Sequence, residues 1–311
     1  MQRGLVPLIF LKCNSSHFEV FTKHRKILGL SKETCVAIEL MEVPVTYDGK
    51  MADEHKIDLY ALGGSLQGIA RVLAVSSHFV VTGEYAKQFG SQGVKVYASE
   101  PKAKCFELSA IIEFAQQQQL FSGFGGAVFG GIVAFVVAKA SGNREEMKLL
   151  SQRLEQAIKE LGNRDQQVID RMMSTIEKMA DALRPSVRNA VEPVGHECDT
   201  LTIGKKTDPY KTTIDKATRD AIWSEGDVTL TDLRDWEVVF TELDKESKTG
   251  KVRLVGDESN ARIKADVSDP AFLMPDNKYL ASYAHNQVIT IKAKAMLKEG
   301  ELDRLYVSDA I

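Results

Sequence analysis

The feature that most constrains this chain is an apolar, glycine-rich stretch at residues 120–138. Its nineteen residues carry no charge, and Ser122 has the only polar side chain among them. As an α-helix the stretch would be about 28 Å long, just enough to cross the hydrocarbon core of a bilayer. Such a helix has to be hidden from water, inside protein or inside lipid. The stretch therefore decides how the chain assembles.

Small residues recur at a spacing of four along this predicted helix. One set comprises Ser122, Gly126, Gly130, Ala134 and Ala138, and a second set beside it comprises Gly123, Ala127 and Gly131. Small residues at this spacing let helix backbones approach closely. We therefore predict that these residues form a helix-packing and self-association surface. The partner helix could belong to the same chain, to a second subunit or to a membrane-embedded assembly.

The charges after the stretch bear on the choice between protein and lipid. Four basic residues favour a cytoplasmic C-terminal side: Lys139, Arg144, Lys148 and Arg153. A membrane span would then require the preceding domain to cross the bilayer without a signal sequence. The preferred interpretation is a helix buried between domains or in an oligomer core, and membrane insertion is the alternative. A phosphate-binding loop is disfavoured because the chain has no G-x-x-x-x-G-K-[ST] motif.

Charge and cysteine content narrow the partners and the compartment. The 311 residues have a net charge of −3, which argues against a protein that coats nucleic acid. Four cysteines are scattered without C-x-x-C spacing: Cys13, Cys35, Cys105 and Cys198. This usage is typical of a reducing compartment. We expect a cytoplasmic protein, with membrane association as the alternative, and no nucleic-acid partner.

The N-terminal part predicts a small α+β domain at residues 41–119. Residues 1–40 are basic and lack a sustained period, so they are interpreted as an extension, with Met41 as an alternative start. Alternation at 43–47 predicts a first strand. Apolar spacing then predicts a helix that begins at Ser65, after the Gly63-Gly64 pair, and ends near Gly83. Two strands and a helix at 111–119 complete this part.

Two amphipathic series predict a helical hairpin at residues 143–190, after the apolar helix at 120–140. Gly162 and Asn163 lie at the break and have the chemistry of a helix stop and of the next N-cap. Arg184-Pro185 is expected to weaken or end the second helix. The remaining residues, 196–311, include five short strands and a helical insert at 270–284. They predict a small five-stranded β-barrel of the SH3-like or OB kind.

Residues 41–311 resemble a family of bacterial and phage-type proteins that has no assigned activity. The resemblance rests on the Val43-Pro44-Val45 strand, the segment 58–73 around Ser65-Leu66-x-Gly68-Ile69, the apolar glycine-rich middle, the segment 183–190 and the strand 200–206. It implies an N-terminal α+β domain followed by a C-terminal five-stranded β-barrel. No functional residues are implied by it.

Two clusters of polar residues are candidates for chemistry. His196, Glu197, Cys198 and Asp199 include metal-ligating types but lack a second ligand pair elsewhere. Asp53, Glu54, His55 and Asp58 are typical of a solvated approach to a helix. Lys292 and Lys294 place two charges on one face of the predicted barrel. We predict no enzyme activity, no cofactor and no metal site.

The predicted function is a non-enzymatic, self-assembling interaction protein that uses its apolar helix for oligomerisation or membrane insertion. The alternative is a module that binds a ligand or peptide through the C-terminal barrel. No particular small-molecule ligand is indicated by the sequence. A hydrolase that uses the acids at 53–58 is the least favoured interpretation.

Overall fold

The computed structural model describes residues 38–87, 94–99, 102–103, 106–115, 126–160, 162, 165–205, 207–208, 210–224, 228–257, 261–298 and 300–311. Predictions for residues 1–37 and 116–125 lie outside the described residues. The fold is α+β, as predicted, and ends in a closed five-stranded barrel.

The first sheet is antiparallel and is built around its longest strand. Its strands are β1 (Ile38–Asp48), β2 (Val94–Ala98), β3 (Lys102–Ala103), β4 (Phe106–Ala115), β5 (Thr200–Ile203) and β6 (Thr212–Ile214), in the order β2-β4-β1-β5-β6 with β3 beside β4. Val43, Val45 and Tyr47 are buried, which the alternation predicts. Ile38 already pairs with Ala115, so the predicted boundary at 40/41 falls inside β1.

The helix expected at 111–119 is wrong for its first five residues, which continue β4. This strand pairs with β1 on one side and β2 on the other, and Ile112 is fully buried. Two backbone ladders and a buried β-branched side chain outweigh the weak helical period of this segment.

The first helix, α1 (Leu59–Thr82), begins earlier than predicted. Asp58 is its N-cap and accepts hydrogen bonds from the backbone N–H groups of Tyr60 and Ala61, both at 3.0 Å. Gly63 and Gly64 therefore lie inside the helix. Ser65 is buried, and its hydroxyl donates to the carbonyl of Ala190 at 2.6 Å. The predicted end at Gly83 is confirmed by its left-handed φ of 73°.

The apolar stretch forms α2 (Gly126–Ala140) at the centre of the helical layer. Eleven of its fifteen residues are buried, because α1, β6 and the two helices of the hairpin surround it. The predicted burial within protein is thus observed for this helix. Across the described part of the chain, every helix is too short or too polar to cross a membrane.

The predicted hairpin is confirmed as α3 (Arg144–Glu160) and α4 (Gln166–Ala190). The N-cap of α4 is Asp165, whose carboxylate accepts from the N–H of Gln167 at 2.9 Å. Pro185 lies inside α4, so of the two predicted outcomes the helix end at this residue is excluded, and α4 ends at Ala190, the predicted limit of the hairpin. The last turns beyond Pro185 are held against α1, where a Cβ at Gly68 would lie 2.3 Å from the carbonyl oxygen of Ser186.

The chain after β5 differs from the predicted barrel domain at 196–311. β5 and β6 belong to the first sheet, since β5 pairs with β1. A short helix, α5 (Lys216–Trp223), and the strand β7 (Val228–Leu230) then lead to the barrel.

The five predicted barrel strands are confirmed as β8 (Arg234–Asp244), β9 (Thr249–Leu254), β10 (Ile263–Val267), β11 (Ile289–Lys298) and β12 (Glu301–Ala310). They close in the order β8-β9-β10-β12-β11-β8, with β10 and β12 parallel and the other pairs antiparallel. The predicted helical insert is confirmed by a 3-10 turn and α6 (Lys278–His285) between β10 and β11. This connectivity is that of the OB fold rather than the SH3-like alternative.

Candidate functional site

A cleft of about 180 Å³ opens where the helical layer meets the barrel domain. Its walls come from the C-terminal half of α2, the start of α3, the segment from β6 to α5, and the strands β7 and β11. The lining residues are Ala134, Val137, Ser141, Asn143, Glu146, Lys211, Thr212, Thr213, Thr218, Leu230, Asp232 and Lys294. The cleft therefore exists only when the two domains are docked.

The helix α5 holds the domains in this arrangement, and we call its interface with the barrel the α5 contact. Ala217 and Ala221 pack with Leu230, Met296 and Tyr306 in a small apolar cluster. On the polar side, Asp266 is 7% exposed and accepts from Lys216 Nζ at 3.0 Å and from Arg304 Nη1 at 2.8 Å.

A second polar group completes the α5 contact. The hydroxyl of Tyr306 donates to Asp220 Oδ2 at 3.0 Å, and Arg219 Nη1 donates to Asp220 Oδ1 at 2.8 Å. Each carboxylate of the α5 contact thus has a cationic partner, as buried charge requires.

The cleft contains a pair of carboxylates, Glu146 and Asp232, held by one amide. Asn143 Nδ2 donates to Glu146 Oε2 at 3.1 Å and to Asp232 Oδ1 at 2.9 Å. Asn143 Oδ1 accepts from the backbone N–H of Glu146, which fixes the orientation of the amide. Both side chains reach solvent at the mouth of the cleft, and neither forms an ion pair with any residue that the structure describes. We call them the acid pair.

The surroundings of the acid pair shift the pKa values of two carboxyl groups, Glu146 and Asp215, in opposite directions. Desolvation by the surrounding protein raises the pKa of Glu146, and the negative charge of Asp232 adds to this, while Lys294 opposes it. Desolvation would also raise the pKa of Asp215. The charge and hydrogen bond of Lys294, at 2.7 Å, and the bonds from Thr218 outweigh it and lower that pKa. Lys294 is therefore committed to Asp215 rather than to the acid pair.

Thr212 adds an unsatisfied hydroxyl to the wall of the cleft. Its side chain is 8% exposed, and Oγ1 has no hydrogen-bond partner among the described atoms. Buried polar atoms are normally paired, but this oxygen has almost no solvent-accessible surface, so it is not open to a guest. A guest with N–H donors would bond to the acid pair. In the described ranges, no group of three or more His, Cys, Asp or Glu is arranged to hold a metal ion.

Most of the described residues that were predicted to form a self-association surface pack against other parts of the same chain. A Cβ at Gly130 would lie 2.8 Å from Tyr210 Cβ, and one at Gly131 would lie 2.7 Å from Leu154 Cδ2. Ala138 is buried, and Ala134 is buried and lines the cleft. Gly126 and Ala127 are exposed at the start of α2, whereas Ser122 and Gly123 lie outside the described residues.

The other two candidate clusters lie next to each other, and two of their carboxylates accept hydrogen bonds from backbone N–H groups. Glu197 Oε2 accepts from the N–H of Asp58 at 3.3 Å, and the carboxylate of Asp53 accepts from Gly49 N at 2.8 Å. Desolvation by burial raises the pKa of Cys198 to about 12, so its thiol stays protonated. His196 Nε2 is bonded to Arg219 Nη2 at 2.9 Å.

Sequence reasoning missed the acid pair because its parts come from separate elements. A local signal exists for half of it: Asn143 followed three residues later by Glu146 is the pattern of a capping box. The pairing of Lys294 with Asp215 joins residues that are 79 positions apart, which no local pattern indicates.

Comparison with known proteins gives two family models that follow each other along the chain. Residues 43–223 match a domain of unknown function, DUF7946, and residues 232–311 match a family of unknown function, DUF7947. The first match covers β1 to α5 and the second covers the barrel strands β8 to β12. No curated protein and no solved structure matches the chain.

Proposed function

The chain belongs to the DUF7946 family of unknown function, and from its geometry we propose a non-enzymatic binding protein that holds a small amine in the cleft between its domains. One observation carries the proposal: the acid pair of Glu146 and Asp232 faces the cleft, and neither carboxylate forms an ion pair with a described residue. A bacterial or phage origin stays a prediction.

The α5 contact shows how a carboxylate between the two domains is neutralised by cations of the same chain. There, Asp266 is matched by Lys216 and Arg304. The acid pair has only a neutral amide between its two negative charges. An ammonium group would supply a positive charge and would donate hydrogen bonds to both carboxylates. The apolar side chains of Ala134, Val137 and Leu230 would contact the aliphatic part of such a ligand.

Binding is favoured over catalysis by what the hydroxyl groups of the cleft do. Ser141 donates to the carbonyl of Ala138 at 3.0 Å, so its hydroxyl is held by a helix terminus. Thr218 donates to Asp215 at 2.8 Å, and the lowered pKa of that carboxyl makes it a weak base. Neither arrangement activates a nucleophile.

The experiment is a thermal-unfolding titration of the full chain with n-butylamine and putrescine, with butyrate as the matched anion. Both amines are expected to raise Tm, because a ligand that binds only the folded state stabilises it. Asp232→Asn should abolish the increase, and Asp276→Asn, at an exposed carboxylate on the loop before α6, should leave it unchanged. An unchanged Tm with the amines, or an equal increase in Asp232→Asn, would contradict the proposal.

Self-association through α2, membrane association and a cytoplasmic location stay predictions. The small residues of α2 that the structure describes within the core already have neighbours in the same chain: Gly130, Gly131, Ala134 and Ala138. Among the described residues of the predicted surface, Gly126 and Ala127 at the start of α2 are exposed.

A further inference from the structure

Three glycines near the start of α1 have different surroundings. A Cβ at Gly64 would lie 2.7 Å from the carboxylate of Glu192, and one at Gly68 would lie 2.5 Å from the backbone nitrogen of Ala190. Close packing against backbone accounts for Gly68, whereas the neighbour of Gly64 is the flexible end of the Glu192 side chain. Gly63 is exposed, and a Cβ there would meet no atom of the described residues within 4 Å. Since glycine weakens a helix relative to alanine, packing within the chain gives no reason for Gly63.

The two residues that precede this glycine by about one turn are apolar and almost fully exposed. Leu59 is 81% exposed and Tyr60 is 83% exposed. Leu59 lies four residues before Gly63, and Tyr60 lies four before Gly64, so each pair shares a face of α1. The bare backbone at Gly63 leaves room for another chain to approach between two large side chains. Exposed tyrosine beside apolar surface is typical of protein interfaces.

The surroundings of this apolar surface are strongly acidic. Residues 48–58 and 192–199 together contain seven Asp or Glu and two Lys, a net charge of −5 with histidine neutral, compared with −3 for the whole chain. The two segments are neighbours, because Asp199 N donates to the carbonyl of Asp48 at 2.9 Å and Ala52 N donates to that of Glu197 at 3.3 Å. The Glu192 carboxylate lies over Gly64, directly beside the exposed face.

We propose that this surface, Leu59, Tyr60 and Gly63 with the acidic rim of residues 48–58 and 192–199, docks a basic peptide segment of a partner protein. An apolar side chain of the partner would pack on Leu59 and Tyr60, and its Lys or Arg side chains would face Glu192 and its acidic neighbours. A second copy of the chain does not fit, because a symmetric contact would bring two acidic rims together. The proposal is independent of the cleft.

The test measures fluorescence anisotropy of a labelled amphipathic peptide of Lys and Leu, with a Glu and Leu peptide of the same order as its counterpart. The full chain is expected to bind the basic peptide and not the acidic one, with weaker binding at high salt. Leu59→Ser/Tyr60→Ser should weaken binding by about tenfold or more, because it removes the apolar anchor. Glu192→Lys should also weaken it by reversing one charge of the rim.

The matched control is Leu273→Ser/Met274→Ser, which removes two exposed apolar side chains from the barrel domain. It should bind the basic peptide as the unchanged chain does. Circular dichroism and Tm of each variant establish that it is folded. Equal binding by the Leu59→Ser/Tyr60→Ser variant, equal binding of the acidic peptide, or no binding of either peptide would overturn the proposal. A dimer in light scattering that this variant abolishes would also overturn it, because the occupant would then be a second copy.

Discussion

The α5 contact and the cleft lie side by side between the same two domains, and they differ in whether their carboxylates form ion pairs. In the α5 contact, Asp266 is buried and is matched by two cations within 3.0 Å. In the cleft, Glu146 and Asp232 share one neutral amide, and neither forms an ion pair with a described residue, although Lys294 lies near enough for its charge to act on Glu146. The difference separates a structural interface from a surface left open to a guest.

This contrast follows from what unpaired charge costs. A buried carboxylate without a partner is strongly unfavourable, so Asp266 has to be compensated for the domains to dock. The acid pair reaches solvent, so its two charges need no partner within the protein. Desolvation and, after it, the negative charge of Asp232 raise the pKa of Glu146. The repulsion between the two charges is the property that a cationic ligand would relieve.

The largest effect is expected from Asp266→Ala, which leaves Lys216 and Arg304 without their shared partner. Removing one member of a buried ion pair typically costs about 3 kcal/mol of unfolding free energy. Urea denaturation of the full chain measures this loss. A loss below about 1 kcal/mol would mean that the α5 contact does not depend on charge compensation.

The next effect is expected from Gly130→Leu, on the face of α2 that continues into the cleft. The new side chain would collide with Tyr210, and overpacking of this kind costs about 2 kcal/mol. Gly126→Leu is the matched variant, because no atom of the part of the chain that the structure describes lies within 4 Å of its Cβ position, and its stability should hardly change. Urea denaturation of both variants checks this. Cross-linking of Gly126→Leu also tests self-association, since a loss of oligomers there could not be attributed to unfolding.

A smaller effect is expected in the pH dependence of stability. It should have opposite signs for Glu146 and Asp215, the two carboxyl groups on which the charge of Lys294 acts. The raised pKa of Glu146 means that its contribution is fully present below the unfolded pKa and is lost as pH rises through the folded value. Glu146→Gln should therefore gain stability relative to the unchanged chain as pH rises above the unfolded pKa of a glutamate, because the amide cannot ionise. Urea denaturation as a function of pH measures the difference.

Asp215→Asn is the counterpart in the same titration. The lowered pKa of Asp215 gives stability that is present above the unfolded pKa and lost as pH falls through the folded value. This variant should be less stable than the unchanged chain at neutral pH, and the difference should shrink toward acid. Parallel slopes for Glu146→Gln and Asp215→Asn would contradict the assignment of Lys294 to Asp215.

The smallest effect on stability is expected from Asp232→Asn. The amide keeps the shape of the side chain and removes the charge that repels Glu146. The free energy of unfolding should change by less than about 0.5 kcal/mol, in contrast to Asp266→Ala. A loss as large as that of Asp266→Ala in urea denaturation would show that the acid pair is structural.

The parts of the fold that depend on local periodicity were predictable. The barrel strand β11 alternates buried and half-buried residues over most of its length, and the amphipathic helices α3 and α4 repeat every three or four residues. The pairing of β5 and β6 with the first sheet was missed, because it depends on β1, about 150 residues earlier. Residues 111–115 were misassigned partly for the same reason, since one of their two partners is the distant strand β1.

Glycine was the least reliable signal, because its meaning depends on contacts distant in sequence. Gly63-Gly64 indicated a break before α1, yet the helix runs through the pair. The spacing on α2 predicted close approach, and Gly130 and Gly131 are approached closely, by side chains of the same chain. The spacing specifies tight contact but carries no information on which chain provides the neighbour. The acid pair, assembled from the start of α3 and the segment before the barrel, had no single local pattern.

The placement of β1 at the centre of the first sheet has a consequence for how the polypeptide is made. Val45 pairs with Ile203 on one side and with Leu108 on the other, so the partners of this one strand come from widely separated parts of the chain. On the ribosome, the β1–β4 ladder can form early. The opposite edge of β1 stays open until the whole helical layer and β5 have emerged. Long-range pairing of this kind makes folding slow, and an unpaired strand edge during synthesis is a site where nascent chains associate.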